Sequence, residues 1–192
     1  MQKGFFSAVL AALLLSVLAA APARAADDYV IDGMHTAVTF KVSHLGLSWT
    51  HGRFNDVSGS FSLDPADAGK CSFSLTIKAE SIDTNNGKRD DHLRSPDFFN
   101  VKQYPAISFK STAVKAVKDG YQVTGDLTMH GETRPVTFVL VGGKKAEFPK
   151  GVQRTGYTTE LTLKRSEFGM DKFAEALGDE VRISISFEAT KK

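Results

Sequence analysis

The chain of 192 residues carries 24 Lys and Arg against 22 Asp and Glu, and its formal charge of +2 falls to zero if Lys3 and Arg24 leave with a leader over residues 1–25. A neutral chain with scattered charges offers no electrostatic footprint to nucleic acid or to an anionic membrane, so both classes are set aside. The single cysteine, Cys71, permits no intrachain disulfide, and the remaining length suits one domain with a core of its own.

The first 25 residues read as a secretory signal peptide. Lys3 precedes an uncharged apolar run over residues 5–18, and Ala23-Arg24-Ala25 supplies small residues for cleavage after Ala25. The run is shorter than the roughly 20 residues of a membrane span. The domain is therefore expected at residues 26–192.

From there period-two alternation dominates, the mark of strands with one apolar and one wet face. Residues 37–43 place Val38, Phe40 and Val42 on one side and Thr39, Lys41 and Ser43 on the other. Strands follow at 57–63, with Phe61 inward, and at 71–78, with Phe73 and Leu75 inward and Cys71 a small buried hydrophobe. Residues 85–100 break the pattern, with charge plus Leu93, Phe98 and Phe99, and predict a helical insertion. In it, Ser95-Pro96-Asp97 has the cap, first-turn proline and acid of a second short helix. Strands resume at 107–117, carrying Phe109, and after the turn signal Asp119-Gly120 at 121–129, carrying Leu127. The strand at 134–141 carries Phe138 on one face and Val139 and Val141 on the other, which predicts partial cover on both sides, with Gly142-Gly143 ending it. The last strands are 156–164, with Leu161 inward and Phe168 just beyond, and 181–190, with Ile185 and Phe187 inward. About eight sequential strands predict an all-β fold, an antiparallel up-and-down barrel closed to remove exposed edges, with a β-sandwich as runner-up.

Several blocks resemble the YceI-like, polyisoprenoid-binding family. They are Tyr29-x-x-Asp32-x-x-His35-Thr36, Phe40-x-Val42-x-His44-Leu45-Gly46 and Gly52-x-Phe54, then residues 91–99 (DHLRSPDFF), Tyr104-Pro105 and Gly131-x-Thr133-x-Pro135-Val136. Arg165-Ser166-x-Phe168-Gly169-Met170 and Gly178-Asp179-Glu180-Val181 complete the ordered set. Thr36 and Glu167 are conservative departures. The resemblance implies a lipocalin-like barrel in the periplasm that holds a long isoprenoid, a quinone or polyprenol, as ligand rather than cofactor. It also implies a membrane quinone-using cytochrome as partner and a monomer or homodimer.

Residues alone leave the interior open. Twelve of the 14 phenylalanines lie beyond the leader, and a barrel so aromatic is filled either by itself or by a ligand. The resemblance favours the ligand, bound by Val38, Phe40, Val42, Phe61, Phe73 and Leu75, by Leu93, Phe98, Phe99, Phe109, Leu127 and Phe138, and by Leu161, Phe168, Ile185 and Phe187. A self-filled interaction or stress-protection protein is the alternative. His35, His44 and His92 are structural imidazoles or contacts for a lipid head, and the five histidines have no metal-site spacing. Arg89, Asp90, Asp91 and Arg94 form a solvated, self-paired helix face or part of a lid. No nucleophile elbow or paired-carboxylate site is seen, so no catalytic residue is expected.

Overall fold

The computed structural model describes residues 26–192, and the leader expected at 1–25 lies outside the described residues. Ten strands form one antiparallel sheet: β1 (Asp27–His44), β2 (Ser48–Phe54), β3 (Val57–Leu63), β4 (Ser72–Lys78), β5 (Ile82–Asp83), β6 (Ala106–Val117), β7 (Gly120–Met129), β8 (Glu132–Glu147), β9 (Gln153–Lys164) and β10 (Leu177–Lys191). One helix, α1 (Gly87–Arg94), follows β5.

The sheet closes because β1 is long enough to be shared. Along Val38–His44 it pairs with β2, along Asp27–Val30 with β3, and on its other edge with β10. Only Asn55 and Asp56 separate β2 from β3, which are two halves of one bent stave, so the wall has eight staves. The expected barrel is therefore present, and the sandwich is excluded by the β1–β10 closure. β3 pairs with β4 as far as Val57, but β2 does not meet β4; two residues of β5 pair with Arg53 and Phe54 instead, and α1 follows beside them. This opening in the wall positions the site.

Three local expectations need correction. Residues 95–100 form turns rather than a second helix, because Ser95 ends α1 and the N–H groups of Phe99 and Val101 return to the Leu93 and Arg94 carbonyls. β8 does not end at its glycines. Gly142 and Gly143 hold φ of +134° and +90° in a bulge, and a Cβ on Gly143 would lie 2.9 Å from the Tyr157 hydroxyl oxygen, so the pair bends the strand around that ring without ending it. Val139 and Val141 face out and are exposed, not covered on both sides.

Candidate functional site

The inward residues of the staves sort into two clusters at opposite ends. At one end Tyr29 stacks on Phe61 at 4.9 Å and Phe61 on Phe73 at 5.3 Å, while Tyr157 and Phe187 meet Phe61 edge-on. Each such pair adds about 0.5–1.5 kcal/mol beyond the area it buries. Val114, Val123, Leu140 and Ala189 complete this plug. Burial pushes the Tyr157 hydroxyl up to about 12, with Tyr121 nearby adding to the shift, so this phenol stays neutral at physiological pH.

Above the plug the wall encloses a cavity of about 200 Å³. Phe109 leans on Phe138 at 5.2 Å, and Leu75, Leu127, Leu161 and Ile185 continue the lining. The cavity runs on past Val38 and Phe40 to Val42, Val181 and Leu177 at the far rim, beneath the β1–β2 hairpin and the loop before β10. Through the opening beside β2 come Leu93, Phe98 and Phe99. Phe99 sets its edge on Phe54 at 5.6 Å, and Phe98 stacks on Phe173 at 6.0 Å.

Fifteen of the sixteen sequence-selected residues line this cavity. Phe168 does not: it is fully buried in the second cluster, and its carbonyl accepts from His130 Nδ1 at 2.9 Å. Sixteen other lining residues were not selected, among them Phe54, Ile77, Ile107, Met129 and Met170. Ile77, Ile107 and Met129 sit on alternation faces already assigned inward, so the signal was there; Met170 follows a left-handed glycine and had none.

Arg165 also borders the cavity and is the one titratable residue on its wall among the described residues. It is buried with its N–H groups donating to the carbonyls of Met170, Lys172, Leu177 and Gly178. Its charge is thus met by backbone dipoles, and it folds the rim loop around itself. No Ser, Cys or carboxylate stands beside a histidine on this wall, which leaves it without a proton-transfer pair.

The charged helix is solvated and self-paired only in part, at exposed Arg89 and Asp91. Asp90 is buried and accepts from the Thr84 N–H and hydroxyl, and Arg89 donates to the Thr84 hydroxyl and carbonyl. Arg94 donates to the carbonyls of Glu80 and Ile82, and its contact with Asp91 at 3.2 Å is the one pairing within the cluster. These bonds clamp α1 to the segment around β5, beside the opening. Of the histidines, His35 contacts Asp32 at 2.9 Å near the plugged end, His92 contacts Asp97 at 3.1 Å, and His44 lies at the rim opposite Leu177. Among the described residues no three His, Cys, Asp or Glu side chains gather into a metal-binding group.

Arg154 beside Asp32, joined by His35, holds that carboxyl well below the usual carboxylate range. The thiol of Cys71 is buried and pushed up by desolvation, in keeping with a packing role.

Comparison with known proteins agrees with this architecture. The chain is 42% identical over 188 residues to a UPF0312 protein, PA0423, of Pseudomonas aeruginosa, covering 95% of this chain and 97% of that one. Its fold is similar to the crystal structure of Burkholderia cenocepacia BcnA, with a TM-score of 0.72, 28% identity, and 82% and 98% of the two chains covered. It also resembles a polyisoprenoid-binding domain from Saccharophagus degradans, with a TM-score of 0.64 over 85% and 98% of the chains; at 16% identity that likeness speaks to the fold alone. The YceI-like domain profile matches residues 29–189, nearly all of the described barrel, and the chain belongs to that family.

Proposed function

We propose that this protein binds a polyisoprenoid or similar long amphiphile, a quinone or polyprenol, in its barrel as a periplasmic carrier or store, without catalysis. The observation that carries the reading is the cavity: its exposed lining is carbon, it is stopped at one end by stacked rings, and it reaches the rim at the other. Such a space admits an apolar tail from the rim or past Leu93, Phe98 and Phe99 beside β2, but not through the plug. A ligand of this kind is the one named for the Saccharophagus domain of the same fold, and such a carrier would suit a membrane quinone-using cytochrome.

A dry cavity of roughly 150 Å³ already accepts benzene, and about 200 Å³ takes a segment of similar or slightly larger size. A longer tail must part side chains or leave through the rim. At roughly 0.8 kcal/mol per buried methylene, ten carbons contribute about 8 kcal/mol before the ordering cost of about 0.5–1.5 kcal/mol per rotor. Short prenyl alcohols therefore bind at about micromolar strength or weaker, and affinity rises with each further carbon that finds wall. The self-filled alternative describes the plug but not the cavity above it.

Native mass spectrometry of protein from a bacterial host, followed by lipid extraction, tests the reading. The expected result is a prenyl-lipid adduct or uptake of added prenyl lipid, with the lipid chemically unchanged after prolonged incubation. Leu127→Trp, which fills the middle of the cavity, is expected to lower uptake at least about tenfold with little loss of stability, since the new ring enters existing space. Apo mass alone with no uptake would overturn the reading, and turnover of the bound lipid would overturn its non-catalytic part.

A further inference from the structure

The outer surface beside the cavity rim has features that neither the barrel nor its interior requires. The β1–β2 hairpin turns through Leu45 and Gly46, with φ of +54° and +67°, closed by the Leu47 N–H donating to the His44 carbonyl at 3.0 Å. Two consecutive positive φ values favour Asn-Gly or Asp-Gly. Here the turn presents leucines instead: Leu45 is 56% exposed and Leu47 84% exposed. The tip is held in place, since the Leu45 N–H donates to the Ala176 carbonyl at 2.7 Å, next to cavity-lining Leu177. Trp49 on the descending strand is also exposed, as is Phe173 on the neighbouring loop.

The two strands that carry this tip hold cations and no acid near it. Residues 33–54 contain Lys41, Arg53 and three histidines and no Asp or Glu. The pairing of β2, β1 and β10 puts His51, Lys41 and Arg182 in one row on the outer face. Like charges directly opposite on a sheet destabilise it, yet Lys41 and Arg182 are direct partners. Both also lie over the Trp49 ring, at 5.2 Å and 4.8 Å from its centre. The acids nearest the rim belong to β10 and the loop before it: Asp179 accepts from the Ser166 N–H and hydroxyl, Glu180 stands two residues before Arg182 on the same face and opposite Lys164 of β9, and Asp171 and Glu175 lie in the loop. Net neutrality of the chain thus conceals a basic strip against an apolar tip.

We infer that the β1–β2 hairpin tip, Leu45 to Leu47, with Trp49 and the Lys41–Arg182 pair is a docking surface for an anionic lipid bilayer. Exposed aliphatic side chains enter the acyl boundary, a tryptophan ring suits the headgroup level, and cations meet anionic headgroups; the three in one patch match an interfacial anchor. Charge complementarity selects a bilayer over an apolar protein face, because the like-charged pair gains an opposite partner. The inference extends the lipid reading, since docking here sets the cavity rim against the membrane and lets a tail pass without crossing water.

The test is co-flotation of the protein with phosphatidylcholine vesicles, with and without phosphatidylglycerol. The expected result is partitioning that rises with phosphatidylglycerol, falls about tenfold or more in the double variant Leu45→Ser/Leu47→Ser, and loses its dependence on anionic lipid in Lys41→Gln/Arg182→Gln. Val139→Ser/Val141→Ser, which removes exposed valines from the outer wall of β8, is expected to partition as the parent does. Farnesol uptake in vesicle-free solution checks that each variant is folded and is expected to be unchanged. Equal partitioning of parent and hairpin variant would overturn the inference. So would absence of partitioning with both vesicles, the result expected if a protein partner covers the tip. Partitioning is read without any ligand, so failure of farnesol uptake by the parent overturns the ligand reading while the vesicles still judge the surface.

Discussion

The two ends of the barrel are made by the same strands with the same alternation, yet one is solid and the other hollow. At the plugged end five staves bring aromatic rings together, and Tyr29, Phe61, Phe73, Tyr157 and Phe187 consume the interior. Toward the rim the inward residues are mostly aliphatic apart from the Phe40–Phe54 pair, β2 offers only Thr50 and Gly52 beyond Phe54, and the wall itself parts beside β2. Closure of that part depends on side chains from outside the barrel, Leu93, Phe98 and Phe99, held by the polar bonds of α1. The difference teaches that stability and binding can be divided along one barrel: rings that fill space carry the fold, and the space they leave carries the ligand.

The largest expected effect comes from breaking the plug. Phe61→Ala removes a ring in contact with four others and is expected to cost about 3–5 kcal/mol in chemical denaturation. A cost below that of a half-buried residue would show the plug to be incidental. At the other end Leu93→Ala/Phe99→Ala trims two half-buried side chains that cover the opening but lie outside the strand pairing of the wall. It should cost no more than about 2 kcal/mol, while stopped-flow exchange of a fluorescent prenyl probe speeds up several-fold; unaltered exchange would sink the idea that this segment is a lid.

The smallest effect concerns charge near the plugged end. Arg154 and His35 depress the folded pKa of Asp32, so the carboxylate contributes stability above its unfolded value of about 3.9, and the contribution is lost as pH falls through the folded value. Arg154→Gln is expected to move the Asp32 titration, followed by carboxyl NMR, up toward the ordinary range and to make acid unfolding begin at higher pH. No change in farnesol binding should accompany it, because Asp32 is not on the cavity wall.

Most of the barrel was legible because strands with one wet face must alternate, and the alternation of β3, β4, β6, β7, β9 and β10 is plain. β2 was not, for a physical reason: before Phe54 its inward positions are Thr50 and Gly52, and Phe40 lies over the glycine. A Cβ on Gly52 would come within 2.3 Å of the Phe40 ring. The ring of one strand does the covering that the next would otherwise advertise. The glycine pair in β8 was read as a stop, although it serves close approach to Tyr157. The cluster in α1 was read as solvated because its partners, Thr84, Glu80 and Ile82, are backbone and hydroxyl groups that no charge pattern reveals.

By itself the sequence determined the class of fold, the inward faces and about half of the residues that meet the cavity, since these follow from the period of a strand and the cost of wetting carbon. Tertiary structure alone decided how the interior is shared between rings and space, which end is stopped, and where the basic strip gathers. Those depend on register across strands distant in the chain, and register sets which side chains stand at one level.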